Sequence, residues 1–568
     1  MRNPTGNRRA GPSFWSVRVY ICSASTSTPT MCSNMRYCMA DCWIVGIFST
    51  KHQNVYGKLV HSLHVLQHRG EDACGILICN NGNFRLERRI GLVSTNFGFS
   101  EDCIIRGDRG IGHTRYPTSN LTNESPTDDI QPIEISYPWI TFYIAHNGTI
   151  TSFCGVPLSQ TESTKRHAST ETANFECSED QEINMDVANH LLQTVKSEMI
   201  GGTDTETVGR ILAHVARGIL AQNEMPTSQA IEKALMKVAP RLTGSYAFLI
   251  VADDSVMGVR DPYGIRPLCL FELPDGYVMA SESCVLNELR KLFYSDLKLP
   301  RKDVEPGTAV IISDEGVRAV RFANLKQTAY CIFEDAYFSR PDSNVRGQIL
   351  SSFRQRCGER LGKRLKMELT LQEAEDSIII PVPDGGIPFG VGLARSTGIP
   401  LMSHGLIRDK YTGRTFIRGP EIQGLDRAAL VMRKLSFLHD VIENKIVILA
   451  DDSLVRGTTT RRVSAMAMDS GARDVIWCFN FPPIKYMCPL GIEMFKGGRE
   501  QFIANKVIPA ENLYELEKGI AKILGAKATY YMNLEDYLQE LYLTGDQACT
   551  GCITGIYPFD ELTRLYGV

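Results

Sequence analysis

The stretch Lys445–Arg461, KIVILADDSLVRGTTTR, decides how the second half of this chain is read. Ile446–Ala450 is a run of five apolar residues, too short for a helix core and rich in β-branching, which predicts a central strand buried on both faces. Asp451 and Asp452 close that strand. Ser453, Val455, Arg456, Gly457, Thr458, Thr459 and Thr460 follow, and then a helical run through Met466. A strand that ends in adjacent acids and opens through a Gly/Thr loop into a helix predicts a phosphate-and-sugar site. The loop and helix start aim N–H groups at an anion, and Gly457 permits close backbone approach. The acids suit ribose hydroxyls or a Mg²⁺ that neutralises diphosphate. A bare Asp-Asp turn is usually solvated surface, so it is the strand before and the helix after that give this one meaning.

With 568 residues, the chain has room for two or three cores. A formal charge of −3 argues against nucleic acid as a main partner. No apolar run approaches the roughly 18 residues of a membrane span. Seventeen cysteines in so long a chain do not read as a secreted disulfide scaffold. Many, such as Cys79, Cys269 and Cys478, lie in apolar strands as buried thiols, which suits a reducing compartment and predicts a cytoplasmic protein.

Residues 1–41 carry Arg2, Arg8, Arg9, Arg18 and Arg36, many Ser/Thr, and no acid before Asp41. That composition predicts a leader or propeptide, with an organelle transit peptide as the alternative location. Met31, Met35 and Met39 are further possible starts. A first domain is expected over 42–300. Its strands are CWIVGIFST (42–50), Gly75–Cys79, Ile140–Ala145, Tyr246–Val251, Val256–Arg260 and Gly276–Ala280. Its helices lie over Val55–Gln67, 187–199 and 205–239, and together they give a sandwich with packed helices. The polar stretch 155–183 reads as a surface insertion. A second domain is expected over 320–568. There Ile378–Val382, a helix to Ser396, Leu401–Leu406, Ile446–Ala450, a helix to Ser470 and Val475–Phe479 alternate as a parallel sheet does.

Three local patterns in the first domain carry chemistry. Cys42 begins a strand beside a plausible processing point. If residues 1–41 are removed, its own α-amino group, with an ordinary pKa of about 7.7–8.0, can take the thiol proton. GHTRYPTSN (112–120) sets Arg115 for a bidentate grip on a carboxylate. IAHNGTI (144–150) ends a strand in Asn147 and Gly148, an amide and a backbone N–H that suit an oxyanion. Taken one at a time, a cysteine in a strand is usually core and an Asn-Gly is usually a turn. In the second domain, PVPDGGIPFG (381–390) is another strand-end turn. KYTGRTFI (410–417) is a basic, Gly-containing loop, and Cys331, Cys488, Cys549 and Cys552 lie in three separate segments.

The order CWIVGI, LQHRGEDACGI, GHTRYPTSN, AHNGT resembles a class II glutamine amidotransferase, an N-terminal-nucleophile (Ntn) hydrolase with an αββα sandwich. RDPYGIRPL (260–268) and ASESC (280–284) match later strings of that family. DDSLVRGTT resembles the phosphoribosyl-diphosphate (PRPP) loop of type I phosphoribosyltransferases, in the form found in the glutamine PRPP amidotransferase (amidophosphoribosyltransferase) family. The resemblance covers residues 42–568 and implies a two-domain α/β enzyme. Its expected reaction is glutamine plus PRPP plus water giving 5-phosphoribosylamine, glutamate and diphosphate, the entry step of purine synthesis. It implies Cys42 as nucleophile, Asn147 and Gly148 as oxyanion hole, and Arg115 on the glutamine carboxylate. It further implies Lys410, Tyr411, Arg414 and the 451–459 loop on PRPP, with Mg²⁺ at Asp451 and Asp452. Cys331, Cys488, Cys549 and Cys552 match the segments that hold a [4Fe–4S] cluster in one branch. Homo-oligomers and inhibition by purine nucleotides are implied as well.

Three departures accompany the match. Trp43 stands where the family has Gly after the nucleophile, and Gly385 where it has Ser or Thr. The family's acid for the glutamine amino group lies in a Ser-Asp-Ser-Glu string before a helix; the stretch INMDVANHLL (183–192) is taken for it, with Asp186 as the acid and Asn184 as the other register. These departures leave an alternative, a PRPP- or nucleotide-binding paralogue with an impaired glutaminase half.

Overall fold

The computed structural model describes residues 42–98, 105–115, 129–158, 182–295, 297–323, 327–409, 435–492, 498–507 and 510–567, all within one compact unit over 36–568. Among these, no helix is long and apolar enough to cross a membrane.

Two seven-stranded sheets make the first half. The first contains β1 (Trp43–Ser49), β2 (Ala73–Asn80), β3 (Asn83–Ile90), β4 (Arg109–Arg115), β10 (Cys269–Leu273), β11 (Gly276–Ala280) and β12 (Arg301–Asp303), in the order β12-β10-β11-β1-β4-β2-β3. The second contains β5 (Ile133–Tyr137), β6 (Ile140–Phe153), β8 (Leu242–Val251), β9 (Val256–Arg260), β13 (Thr308–Ser313) and β14 (Gly316–Arg321), in the order β14-β13-β9-β8-β6-β5, with β7 (Val156–Pro157) on β6. Ile44, Phe48, Leu77 and Ile111 of one sheet meet Tyr143, Ala145, Ala247 and Leu249 of the other. The opposite faces are covered by helices. α1 (Tyr56–Leu66) packs on the first sheet. α2 (Met185–Glu198), α3 (Asp204–Gln222) and α4 (Thr227–Val238) pack on the second. α5 (Cys284–Phe293) packs beside α1, completing the expected αββα layering. The single helix expected over 205–239 is two, because Asn223–Pro226 breaks it and Pro226 caps the second. The insertion expected at 155–183 has residues 159–181 outside the described residues.

In the second half, β15 (Tyr330–Cys331) is followed by a short hairpin, β16 (Asn344–Val345) with β17 (Gln348–Ile349), then α6 (Leu350–Glu368). A four-stranded parallel sheet follows. It holds β18 (Ser377–Pro381), β21 (Ile446–Asp451), β22 (Asp474–Phe479) and β23 (Ala528–Tyr531), ordered β18-β21-β22-β23. α6 and α7 (Ile387–Thr397) cover one face. α8 (Thr458–Asp469) and α9 (Leu513–Leu524) cover the other. The strand expected over Leu401–Leu406 does not form. Leu401 makes only an isolated bridge to Ile379, and the chain then turns into β19 (Leu406–Arg408), paired with β20 (Leu435–Phe437). The final strand β24 (Ala548–Cys549) runs parallel to β15.

One apolar core crosses between the halves, joining Trp43, Ile265 and Cys284 to Phe333, Phe353, Cys478, Phe481, Leu490 and Ile492. The seam is also tied by polar groups. Arg266, almost wholly buried, donates to Leu490 C=O at 2.8 Å, to Ser245 Oγ at 3.3 Å and to Glu334. Ser245 Oγ donates to the same Leu490 carbonyl at 2.6 Å.

Candidate active site

Strand alternation places the first set of groups. Ile44 and Phe48 face the space between the sheets, so Cys42, two residues before Ile44, looks into that space; Trp43, Val45 and Ile47 look toward α1. Trp43 is buried and stacks on His68 with ring centroids 5.8 Å apart. The bulky indole of Trp43 therefore points away from Cys42, onto the helix side of the sheet. Trp43 pairs with Thr114 across β1 and β4, so Cys42 and Arg115 are the next residues outward on adjacent strands. Both are buried.

On β6, Tyr143 and Ala145 face the same inter-sheet space, and Asn147 continues that alternation. Its Nδ2 is buried without a hydrogen-bond partner among the described residues. Gly148 has φ +138°, and a Cβ there would lie 2.1 Å from Ser245 O and 2.9 Å from His146 Nε2, so only glycine fits. Asn147 and Gly148 lie within β6 rather than ending it as expected, because β6 stays paired with β8 through Phe153; an inward amide beside this glycine can receive an oxyanion.

His146 faces the helix side. Its Nε2 meets Ser245 O at 3.4 Å and its Nδ1 meets Thr205 Oγ1 at 3.2 Å; because a carbonyl only accepts, Nε2 carries the proton. Burial chiefly pushes His146 down to about 3, and it does the same to His113, helped by the charges of Arg115 and His146. Both imidazoles are neutral at pH 7.

The acid at this end of the sandwich is Asp204, which the sequence reading missed. It opens α3 in the string Thr203-Asp204-Thr205-Glu206. Thr203 Oγ1 caps the helix by accepting from Glu206 N at 3.0 Å, while the Glu206 carboxylate accepts from the N–H groups of Ile200, Gly201 and Gly202. Asp204 Oδ2 accepts from Ile150 N at 2.9 Å and lies 3.8 Å from His146 Nδ1. Burial lifts its pKa to about 7 despite those hydrogen bonds. Asp186, by contrast, is exposed in the first turn of α2, and Asn184 merely caps that helix, accepting from Val187 N at 3.0 Å.

The RDPYGIRPL and ASESC strings form scaffolding. Arg260 donates to the carbonyls of Arg266, Val304 and Gly264 at 2.8, 2.7 and 3.0 Å. Asp261 accepts from the backbone N–H groups of Tyr263, Ile265 and Arg266. Glu282 accepts from Arg340 N at 2.9 Å and Ser343 Oγ at 2.6 Å and pairs with His68 at 3.2 Å.

In the second half, Asp451 and Asp452 stand at the carboxyl end of β21, where parallel sheets bind ligands. Asp451 Oδ1 accepts from Asp452 N, and Asp452 Oδ1 accepts from Ser453 Oγ, both at 2.9 Å. Burial, with the neighbouring Asp452 charge, raises Asp451 well above the carboxylate range, so a cation here would be stabilising. Gly457, at φ +77°, precedes α8, which Thr458 and Thr459 begin. Val455 is packed against the seam core and holds the loop through Ile503 N at 2.9 Å. At Gly385 a Cβ would lie 2.1 Å from Asp452 Oδ2. The place where a Ser or Thr was expected is thus filled by the Asp452 carboxylate. Lys410, Tyr411 and Arg414 lie outside the described residues.

Cys331 and Cys549 are register partners on β15 and β24. Cys552 O accepts from Lys485 N and Tyr486 N at 2.9 and 3.0 Å, drawing the Cys488 segment in. Burial, with the neighbouring thiols, raises Cys549 to about 12 and Cys552 well above its ordinary range, and burial with the Glu334 charge does the same to Cys331. Among the described residues no group of three or more His, Cys, Asp or Glu converges to hold a metal ion. The four thiols neighbour one another closely enough to interact electrostatically.

Residues 181–288 match a glutamine amidotransferase domain family. The amidophosphoribosyltransferase of Archaeoglobus fulgidus is 32% identical over 519 residues, covering 91% of this chain and 98% of the relative. That of Bacillus subtilis is 30% identical over 522 residues, covering 91% and 94%. The fold matches the glutamine PRPP amidotransferase of B. subtilis complexed with ADP and GMP, with TM-score 0.68, 29% identity, and 91% and 97% of the two chains covered. It also matches a structure described as the allosteric regulatory enzyme of purine biosynthesis, with TM-score 0.69, 28% identity, and 91% and 96% covered.

Proposed function

The chain belongs to the amidophosphoribosyltransferase family, the glutamine PRPP amidotransferases of purine biosynthesis, and from that premise we propose how its residues divide the reaction. Glutamine enters the inter-sheet end of the sandwich. Arg115 takes its carboxylate and Asp204, ionised, takes its α-ammonium; this assigns to the TDTE string the role expected of Asp186. The Cys42 thiolate attacks the amide carbon while Asn147 Nδ2 and the Gly148 N–H receive the oxyanion. Ammonia leaves, and water hydrolyses the thioester to glutamate. With 1–41 removed, the Cys42 α-amino group moves the proton.

Ammonia then crosses the buried seam to PRPP. The single observation that carries this reading is the continuous apolar core joining the two halves, in which Phe333, Phe481, Leu490 and Ile492 pack; transfer through it excludes water and keeps the nitrogen unprotonated. At the second site, Asp451 and Asp452 hold the ribose hydroxyls, and Ser453, Arg456, Gly457 and the start of α8 cradle the 5′-phosphate. Lys410, Tyr411 and Arg414 are assigned to the diphosphate by their charge and hydrogen-bonding capacity. The raised Asp451 carboxyl fits a Mg²⁺, which when bound would neutralise the leaving diphosphate.

Cys331, Cys488, Cys549 and Cys552 supply the number and kind of donors that a [4Fe–4S] cluster takes. Such a cluster would staple the C-terminal tail to the sheet. Purine nucleotides are the expected inhibitors, a homo-oligomer the expected assembly and the cytoplasm the expected site, with a two-domain division at about 42–300 and 320–568. The test is an assay of purified, processed protein with glutamine and PRPP: phosphoribosylamine and glutamate should appear together. PRPP binding without either product would favour the paralogue reading.

A further inference from the structure

Two asparagines have buried side-chain amide atoms with no hydrogen-bond partner among the described residues, and they lie one in each half. Asn147 has a role to explain its orphaned Nδ2. Asn480 has none, although both its Oδ1 and its Nδ2 are orphaned and the residue is fully buried. Natural interiors seldom leave an amide so, because it weakens the fold; such a group signals a function or a ligand.

Its position is informative. Asn480 follows β22 directly, and its N–H donates to Asp451 C=O at 3.0 Å; Phe481 N–H donates to Asp452 C=O, also at 3.0 Å. Asn480 is thus laced to the strand end that closes in the paired acids. Along β22, Ile476 and Cys478 face the core that crosses the seam, while Trp477 and Phe479 face α8 and α9. Continuing the alternation, Asn480 turns toward the seam. The same core contains Leu490, whose carbonyl receives Ser245 and Arg266 from the glutaminase half.

We propose that Asn480 receives ammonia at the transferase site, a reading that rests on the amidotransferase reaction above. Ammonia offers three N–H donors and one lone pair. Asn480 Oδ1 can accept from it while the lone pair stays free for the anomeric carbon of PRPP. An amide also has no acidic proton to give, so it holds ammonia in an apolar passage without making ammonium. A carboxylic acid at the same place would not.

The test uses the full processed chain with Asn480→Ala and Asn480→Leu. Glutamate and phosphoribosylamine are measured from glutamine, phosphoribosylamine is measured from added ammonium salt, and melting temperature is recorded. Phosphoribosylamine per glutamate should fall about fivefold, the size of one neutral hydrogen bond. KM for ammonium should rise by about the same factor, and the melting temperature should hold or rise as the orphaned amide is removed. An unchanged product ratio overturns the proposal, whether or not the melting temperature falls. So does failure of both variants to fold, which would make the amide structural. A wild-type chain that transfers no nitrogen overturns the amidotransferase reading and this one together; transfer with the ratio intact in both variants overturns this one alone.

Discussion

Asp204 Oδ2 accepts a hydrogen bond from the backbone N–H of Ile150, two residues beyond Gly148, so the acid opening α3 is fastened to the strand that carries Asn147 and Gly148. The same burial that fixes it there raises its pKa to about 7.

The free enzyme should therefore bind glutamine poorly in acid. Below pH 7 Asp204 is a neutral acid and cannot pair an ammonium; above it, the carboxylate can. The kcat/KM for glutamine should fall about tenfold per pH unit on the acid side of this pKa. Activity driven by added ammonium, corrected for free ammonia, should lack that limb. Asp204→Asn should cost glutamine-dependent activity about a hundredfold, the loss of a buried charged hydrogen bond, and should abolish the limb. Asp186→Asn should do neither.

Trp43 should matter to stability rather than chemistry. Its indole fills the space between β1 and α1 and stacks on His68. Trp43→Gly should cost about 3–5 kcal/mol in denaturant unfolding. Trp43→Phe should keep the glutaminase kcat within about threefold. A large kcat loss in the phenylalanine variant, without a comparable stability loss, would place the indole in the reaction.

Gly385→Ser should impair the transferase site. A Cβ there meets the Asp452 carboxylate at 2.1 Å and must displace it. KM for PRPP should rise about tenfold more than KM for glutamine, equivalent to about 1.4 kcal/mol. Equal effects on both substrates would mean that Asp452 does not hold PRPP.

Cys549→Ser and Cys331→Ser should each lower bound iron and sulfide in anaerobically purified protein and remove visible iron–sulfur absorption. Without a metal, burial keeps these thiols protonated, since both are raised far above their ordinary range. Wild-type protein that carries zinc in place of iron and sulfide would show that the patch holds a single ion.

The parts most legible in sequence were those with local causes. The apolar run of β21, the acids that close it and the Gly457 start of α8 needed only periodicity and turn chemistry. Val256–Arg260 and Gly276–Ala280 form strands at the predicted bounds, because short β-branched or aromatic runs between turns leave little choice. Asp204 falls one residue before the helical periodicity expected from 205, so periodicity alone does not mark it. The Thr-x-x-Glu spacing of Thr203 and Glu206 was the available signal of a helix start. The direction of Trp43 followed from alternation with Ile44 and was legible but unused. Asn480 was not legible at all: an asparagine after a strand reads as a turn, and only the folded structure shows it wholly buried with its amide unsatisfied.

The most direct measurement follows the nitrogen itself. Glutamine carrying heavy nitrogen in its amide is supplied with PRPP, Mg²⁺ and an excess of unlabelled ammonium at a pH where little is free ammonia. Phosphoribosylamine carrying the heavy isotope, formed one for each glutamate, is the predicted result. Unlabelled product, or glutamate released with no labelled sugar amine, would contradict transfer through the buried seam.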